Sequence, residues 1–325
     1  MPTITYREAV SRALREALRE DERMYILGED VGAYGGAYAV TRGFLQEFGP
    51  RRIMEAPISE SAIVGTGTGS ALGGLHPVIE IMTINFSLLA MDQIVNHAAK
   101  IRYMSGGQFS VPLILRTVTG GGAQLGATHS QSFEGWFASV PGLKVVVPAT
   151  PYDALGLFRA VRQERDPVVF VEHILLYSTR GEVPEEPYVV PLGVADIKRP
   201  GDQFTIVAYS RMVLVALAAA EELAKRGINA EVVDLRCLRP LDIETVLQSV
   251  QRTGRALVVE EAWKTGGFGA EIASQIQERA FDSLDAPVLR VAGADVPMPY
   301  SRELERAAIP GPAAVVQAVE TALGK

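Results

Sequence analysis

The sequence predicts an α/β protein of two domains, each built around a mainly parallel sheet. Short runs that are almost continuously apolar alternate with helical stretches, which is typical of strands buried on both faces. A segment rich in prolines and charges, residues 181–202, interrupts this alternation, and a second alternating series follows it. We therefore predict domains at residues 1–180 and 203–325, joined by a linker at 181–202.

The first domain opens with a helix. Thr5 and Glu8 have the spacing of a capping box, ahead of the run AVSRALREALRE. Six strands are predicted after it, at MYIL (24–27), RRIM (51–54), PVIEIM (77–82), VPLILR (111–116), LKVVVPA (143–149) and PVVFVEH (167–173). Helices are predicted between them, at residues 60–73, 86–104, 131–139 and 151–164. Because right-handed crossovers join such strands, the sheet is expected to be mainly parallel.

The second domain repeats the alternation. Strands are predicted at FTIVAYS (204–210), NAEVVDLR, ALVVEEA and PVLRVAG. The helices between them are MVLVALAAAEELAKRG, which ends at Gly227, and two others near residues 242–253 and 269–281.

Composition excludes several classes of protein. The chain has 325 residues, of which 48% are hydrophobic and 21% charged, as in ordinary globular proteins. The net charge of −7 argues against nucleic acid or an anionic membrane as a partner. No window approaches the roughly 18 apolar residues of a spanning helix, and no signal segment opens the chain, so we expect the cytoplasm or an organelle matrix or stroma. The single cysteine, Cys237, fits a reducing compartment and is expected to be a buried apolar residue.

Two glycine-rich segments invite a nucleotide-binding interpretation. In GTGTGSALGG, Ser70 replaces the third glycine of a dinucleotide loop and no strand leads directly into the segment, so its glycines are expected to let a helix pack closely on the sheet. The second segment, Gly120 to Gly122 with Gly126, follows a buried strand but lacks the Lys-Ser/Thr of a P-loop. We expect this loop to lay its backbone against a ligand and to present His129.

Glu60 is the most informative single residue. It lies in PISESAIVG (57–65), at the start of a run that is otherwise small and apolar. A carboxylate there is either a cap on the protein surface or a buried group kept for chemistry.

Several long segments together resemble one family. They are PISESAIVG, MTINFSLLAMDQIVNHAAKIRYMSGGQ, GATHSQSFEGWFASVPGLKVVVPATPYDA, VVDLRCLRPLD and VVEEAWKTGGFGAEI. Along essentially its whole length the chain resembles the beta subunit of the thiamine-diphosphate-dependent decarboxylating component of 2-oxoacid dehydrogenase complexes. Within that family it looks closest to pyruvate dehydrogenase beta subunits. The resemblance implies an N-terminal pyrimidine-binding domain with a parallel sheet and a C-terminal transketolase-type α/β domain.

The resemblance assigns roles to five residues. Glu60 matches the acid that binds the aminopyrimidine ring of thiamine diphosphate and favours the imino tautomer, whose exocyclic nitrogen deprotonates the thiazolium carbon. Phe86 matches an aromatic residue that lies against the same ring, and Ile58 and Met82 match positions that line the pocket. His129 matches an active-site histidine expected to orient the substrate carboxylate or the acyl-transfer groups, and to move protons.

The resemblance also implies metal ions and partners. A structural potassium ion is implied at the positions of Leu113, Val161, Arg162, Glu164 and Asp166. The GDG motif that holds the diphosphate through Mg²⁺ is missing from this sequence, so an alpha subunit is expected to supply that half of the site. The implied assembly is an α₂β₂ heterotetramer that decarboxylates a small 2-oxoacid, pyruvate, and passes the acetyl group to a lipoyl group of an acyltransferase core.

Three alternatives stay open at this point. An acetoin or branched-chain 2-oxoacid dehydrogenase beta subunit would share the same motifs. A nucleotide- or flavin-binding electron carrier would use two Rossmann-like domains, but no phosphate loop follows any predicted strand. A subunit that only docks the acyltransferase would not need Glu60 and His129.

Overall fold

The computed structural model describes residues 1–324, which divide into two compact units. The first comprises residues 1–119 and 136–192, and the second comprises residues 120–135 together with the chain from residue 193 onward. The division at residue 192 falls inside the predicted linker, and the glycine-rich loop belongs to the second unit. The domain bounds 1–180 and 203–325 stay a prediction.

The first unit is built on a parallel sheet. The strands up to residue 192 are β1 Thr3–Thr5, β2 Met24–Gly28, β3 Ile53–Glu55, β4 His76–Ile81, β5 Ile114–Thr119, β6 Lys144–Val146, β7 Val168–His173 and β8 Arg180–Glu182. Six of them follow the order β6-β7-β5-β4-β2-β3, and every neighbouring pair in this row is parallel. Ile26, Val78, Ile114 and Val168 align across four of these strands. The predicted parallel sheet is confirmed, and β1 and β8 form a separate antiparallel pair.

Helices connect these strands. Those up to residue 192 are α1 Tyr6–Glu20, α2 Phe44–Phe48, α3 Glu60–Leu72, α4 Ile101–Met104, α5 Glu134–Ala138 and α6 Pro151–Val161, with 3₁₀ turns at Ile84–Ala90 and Ile174–Leu176 and a π-helix at Gln93–Ala98. The capping box of α1 is confirmed, since the Glu8 amide donates to Thr5 Oγ1 at 3.2 Å and the Thr5 amide donates to Glu8 Oε2 at 2.6 Å.

The single helix predicted at 86–104 is wrong. The segment forms three successive pieces, a 3₁₀ turn, a π-helix and α4. Ser87 Oγ donates to the Ile84 carbonyl at 2.5 Å, and Asn85 Nδ2 donates to Thr83 Oγ1 at 2.5 Å. The Ser87 hydroxyl, which bonds to the local backbone, competes with the regular helical ladder, which accounts for the tightened first turn.

Gly67 of GTGTGSALGG lets its helix pack closely on the sheet, as predicted. Residues 65–72 of this segment belong to α3, and a methyl group placed on Gly67 would come within 2.5 Å of Ile79 Cγ1 on β4. Only a residue without a side chain lets the helix approach the sheet this closely. The segment is a close-packed helix, not a dinucleotide loop.

The second unit contains the other sheet. From residue 193 to 324 the strands are β9 Asp196–Arg199, β10 Phe204–Ala208, β11 Ala230–Asp234, β12 Cys237–Arg239, β13 Ala256–Trp263 and β14 Leu289–Gly293. Its five-stranded sheet has the order β14-β13-β10-β11-β9 and is parallel except for β9 at the edge. The helices are α7 Met212–Lys225, α8 Ile243–Thr253, α9 Phe268–Ala280, α10 Arg302–Ala308 and α11 Pro312–Ala322, with a 3₁₀ turn at Phe281–Ser283.

The structure also describes the single cysteine and the length of the apolar helices. Cys237, at the start of β12, is buried as expected. Within residues 1–324, no helix is long and apolar enough to cross a membrane.

Candidate active site

Glu60 is the first residue of α3 and is buried. Its exposed fraction is 4%, so it is not a cap on the protein surface. Within residues 1–324 its carboxylate has neither a hydrogen-bonding partner nor a cation beside it. The N-terminal end of a helix favours a negative charge. The local helix thus stabilises this carboxylate, while its oxygens keep their capacity to accept hydrogen bonds.

A second acid faces Glu60. Glu29 comes directly after β2, at the carboxyl end of that strand, and is half-buried. Burial is the main cause that raises the pKa of Glu29, and the neighbouring charges of Glu60 and Asp30 raise it further. Glu29 is not among the predicted site residues, although a carboxylate directly after a buried parallel strand is the signal that could have identified it.

The predicted pocket residues of the first unit lie near strand ends. Met82 directly follows β4, and Phe86 lies in the 3₁₀ turn after it; both are partly buried. Ile58 precedes α3 and is 80% exposed in this chain. An apolar side chain this exposed contributes to a pocket only where a ligand or another chain covers it.

His129 is carried by the glycine-rich loop of the second unit. Its side chain is exposed, and Nδ1 lies 2.9 Å from Thr128 Oγ1. The loop was expected to lay its backbone against a ligand, but the amides of Gly121, Gly122 and Gln124 donate to carboxylates of the chain itself. Those three amides are therefore not directed at a ligand, and a contact between the rest of the loop backbone and a ligand stays a prediction.

A groove of about 620 Å³ borders this loop. It is lined mainly by apolar atoms, and its residues are Ala127, Thr128, Gln131, Trp263, Thr265, Asp295, Val296 and Pro297. Ala127 and Thr128 are the two residues before His129, so the groove lies beside the histidine. An open apolar groove next to an imidazole, a group that can donate and accept protons, is a suitable place for an aliphatic reactant.

The five residues at the predicted potassium site differ in what they can offer a cation. The three charged side chains are in ion pairs: Arg162 with Glu20 at 2.5 Å, Glu164 with Lys144, and Asp166 with Arg102 at 2.7 Å. Leu113 and Val161 are buried and have hydrocarbon side chains, so each can offer a cation only its carbonyl oxygen. In the described part of the chain, no group of three or more His, Cys, Asp or Glu side chains could hold a metal ion. The potassium site stays a prediction that rests on backbone oxygens.

Two known domain families match the chain. Residues 2–179 match the transketolase pyrimidine binding domain, and residues 193–315 match the transketolase C-terminal domain. These ranges agree with the order of the two domains expected from the sequence.

Curated relatives are similar along almost the whole chain. The pyruvate dehydrogenase E1 component subunit beta of Rhizobium meliloti (strain 1021) is 46% identical over 321 residues, which cover 98% of this chain and 70% of the relative. The mitochondrial beta-2 subunit of Oryza sativa subsp. japonica is 47% identical and covered to 86%, with 98% of this chain aligned. The mitochondrial beta subunit of Caenorhabditis elegans is 46% identical, with 99% of this chain and 93% of the relative aligned.

Solved structures share the fold. A split gene transketolase, described as an inactive beta4 tetramer, has a TM-score of 0.80 and 25% identity, with 99% of this chain and 98% of that chain covered. Transketolase from Campylobacter jejuni has a TM-score of 0.72 at 15% identity, and this chain covers 47% of it. With its two transketolase-type domains and its extensive identity to these relatives, the chain belongs to the family of pyruvate dehydrogenase E1 component beta subunits.

Proposed function

We propose that this chain is the beta subunit of a pyruvate-decarboxylating enzyme and supplies the pyrimidine-binding half of a thiamine diphosphate site. Together with an alpha subunit, it decarboxylates pyruvate and transfers the acetyl group to a lipoyl group of an acyltransferase. The names of the relatives support pyruvate as the substrate. The observation that carries the cofactor assignment is Glu60, a buried carboxylate without a partner in the described chain.

The residues present fit the proposed cofactor. A buried carboxylate that accepts no hydrogen bond is costly, and a protonated ring nitrogen would satisfy it. Thiamine diphosphate supplies the electron sink for loss of carbon dioxide. The part of Glu60 is to hold a proton at the pyrimidine ring nitrogen through a hydrogen bond strengthened by burial.

Three apolar residues complete the pyrimidine side of the site. Phe86 is proposed to lie against the ring face, with Met82 lining the same pocket from the end of β4. Ile58 is proposed to contribute once a second chain covers it. Such an apolar lining would exclude water and strengthen the hydrogen bond made by Glu60.

His129 is proposed to act on the substrate side. An imidazole can both donate and accept a proton, so it can orient the substrate carboxylate and then serve the transfer of the acetyl group. The apolar groove beside it is large enough for the aliphatic chain of a lipoyl group.

The alpha subunit is proposed to hold the diphosphate through Mg²⁺. This chain contains no GDG motif, and in residues 1–324 no cluster of side chains could hold a metal. The split gene transketolase of the same fold is described as inactive in its beta4 form, which supports the need for a second polypeptide. The proposed assembly is α₂β₂. Potassium, if bound, would use the carbonyl oxygens of Leu113 and Val161 among its ligands.

The decisive experiment replaces Glu60 in the assembled enzyme. The Glu60→Gln variant keeps the side-chain volume, so the complex with the alpha subunit should form, yet decarboxylation should fall by about 10³-fold or more. Glu22→Gln, at an exposed position, is the matched control and should leave turnover unchanged. Turnover of Glu60→Gln close to that of the parent would refute the proton-holding role.

Two further measurements separate the parts of the proposal. A panel of pyruvate, acetoin and branched-chain 2-oxoacids should give the highest kcat/KM with pyruvate; preference for another compound would reassign the substrate and leave the cofactor site intact. Calorimetry of the isolated chain should show weak binding of thiamine diphosphate. Tight binding without the alpha subunit would contradict the divided site.

A further inference from the structure

The loop before His129 has an unusual backbone. Within seven residues, Gly120, Gly122, Gln124 and Gly126 all adopt positive φ, at 95°, 95°, 57° and 79°. Successive residues of this kind can turn several amide groups toward one side and form a concave site for an anion. Such a loop does not hold its shape by itself, because glycines have a wide choice of conformations.

The anion at this loop is provided by the protein. Glu305 Oε1 accepts hydrogen bonds from the amides of Gly122 at 2.9 Å and Gln124 at 3.1 Å. Glu261 Oε1 accepts one from the amide of Gly121 at 2.7 Å. Both carboxylates are buried, Glu305 on α10 and Glu261 on β13. Hydrogen bonds to an ionised acceptor in a poorly solvated place are among the strong ones in proteins.

Close packing adds to these bonds. A methyl group placed on Gly121 would come within 2.9 Å of Ile309 Cδ1, and one on Gly126 would overlap the ring of Tyr300. The backbone of the loop therefore lies directly against the segment 298–309. Beyond His129, Phe133 packs edge-on against Trp263 at 5.8 Å between ring centroids. His129 thus lies between two anchored stretches of one loop.

From this arrangement we infer that Glu305 and Glu261 are positioning residues that hold the His129 loop, residues 120–129, in its working conformation. Neither carboxylate is assigned to the reaction itself; each acts through backbone amides. This inference rests on the proposed role of His129. It assigns to the second unit a part in catalysis, namely the orientation of an exposed histidine by two buried acids.

The test is a double-mutant cycle in the assembled α₂β₂ enzyme, with transfer of the acetyl group to a lipoyl domain as the readout. Glu305→Gln exchanges one acceptor oxygen for an amino group and should lower kcat about 10-fold. In the His129→Ala background the same change should lower kcat less than 2-fold, because the group to be positioned is absent. Glu303→Gln, exposed on the same helix, is the control and should have no effect in either background.

Hydrogen exchange gives a readout that does not depend on activity. In the assembled enzyme, amides of residues 120–129 should exchange about 10-fold faster in Glu305→Gln than in the Glu303→Gln control. If Glu305→Gln does not assemble, Glu261→Gln, which changes the acceptor of the Gly121 amide and the ion pair with Arg211, takes its place in both measurements.

Each outcome has a distinct meaning. Equal losses in both His129 backgrounds, or unchanged activity and exchange in Glu305→Gln, would overturn the inference. Full activity of His129→Ala would overturn the proposed role of the histidine instead, and the exchange measurement would then decide whether the two acids hold the loop.

Discussion

Arg116 and Glu172 lie on neighbouring strands of the first sheet, and Arg116 Nη2 donates to Glu172 Oε2 at 2.8 Å. On its other side, Arg116 Nη1 donates to Glu80 on β4. The Tyr177 hydroxyl donates a hydrogen bond to Glu172 Oε2 at 2.7 Å. All four side chains are buried, and burial is the main cause that raises the pKa of Glu80. One guanidinium thus satisfies two carboxylates inside the core of the sheet.

We predict that Arg116→Met lowers the free energy of unfolding by about 3–5 kcal/mol. The methionine fills part of the space, but two buried carboxylates lose their cation. Denaturant unfolding of the purified chain measures the change. Arg102→Met is the control: Arg102 pairs with Asp166 at 2.7 Å near the surface, where loss of the pair should cost less than about 1 kcal/mol. Equal effects of the two changes would contradict the structural importance of the buried cluster.

Glu29→Gln should stabilise the chain at neutral pH. The pKa of Glu29 is raised in the folded state, so the folded chain binds more protons there than the unfolded chain and loses stability as pH rises through that range. Glutamine removes this loss. The gain should stay below about 1 kcal/mol at pH 7.5 and vanish below pH ~4, where both states are protonated. Calorimetric Tm values across this range test it; a gain that is larger in acid would show the sign to be wrong.

Gly142 and Gly227 offer a matched pair of glycine substitutions. Both have positive φ, 101° and 75°, but a methyl group on Gly142 would overlap the carbonyl oxygen of Ala99, whereas one on Gly227 would meet nothing within 4 Å. Gly142→Ala should therefore cost at least about 3 kcal/mol, and Gly227→Ala about 1–2 kcal/mol. Chemical denaturation compares them. Similar costs would mean that strain, not overlap, dominates at Gly142.

Replacing the ring of Phe86 should weaken cofactor binding. In the assembled enzyme, Phe86→Leu is expected to raise the Kd of thiamine diphosphate about 5- to 10-fold, because the stacking contribution of an aromatic ring is about 1 kcal/mol. Phe86→Tyr keeps the ring and should bind within about 2-fold of the parent. Fluorescence titration of the cofactor measures both. An unchanged Kd in Phe86→Leu would assign Phe86 to packing alone.

Much of the fold could be predicted from local pattern. Continuous apolar runs indicated strands buried on both faces, which are typical of parallel sheets. The sheet of the first unit is indeed parallel. The spacing of Thr5 and Glu8 located the start of α1. The helix predicted at 86–104 was wrong. The apolar content of this segment resembles that of a helix, but the hydrogen bonds from Asn85 to Thr83 and from Ser87 to Ile84 favour a tighter first turn.

The candidate site could be predicted only in part. Glu60, Phe86 and His129 belong to motifs that can be recognised in the chain as written. Glu29 gave a weaker signal, an acid at the end of a strand. Glu305 could not be predicted from the sequence, because its partner Gly122 lies 183 residues away and no local pattern indicates that the two residues meet.

The sequence by itself determined the strands that form most of both sheets, the start of α1 and the acid that opens α3, because periodicity and local hydrogen bonding depend on near neighbours. Only the tertiary structure decided which charged groups meet. Arg116 reaches Glu80 and Glu172 because strand order and register bring β4, β5 and β7 side by side. The His129 loop meets Glu261 and Glu305 because folding brings distant segments into contact, and that pairing is a property of the packed chain alone.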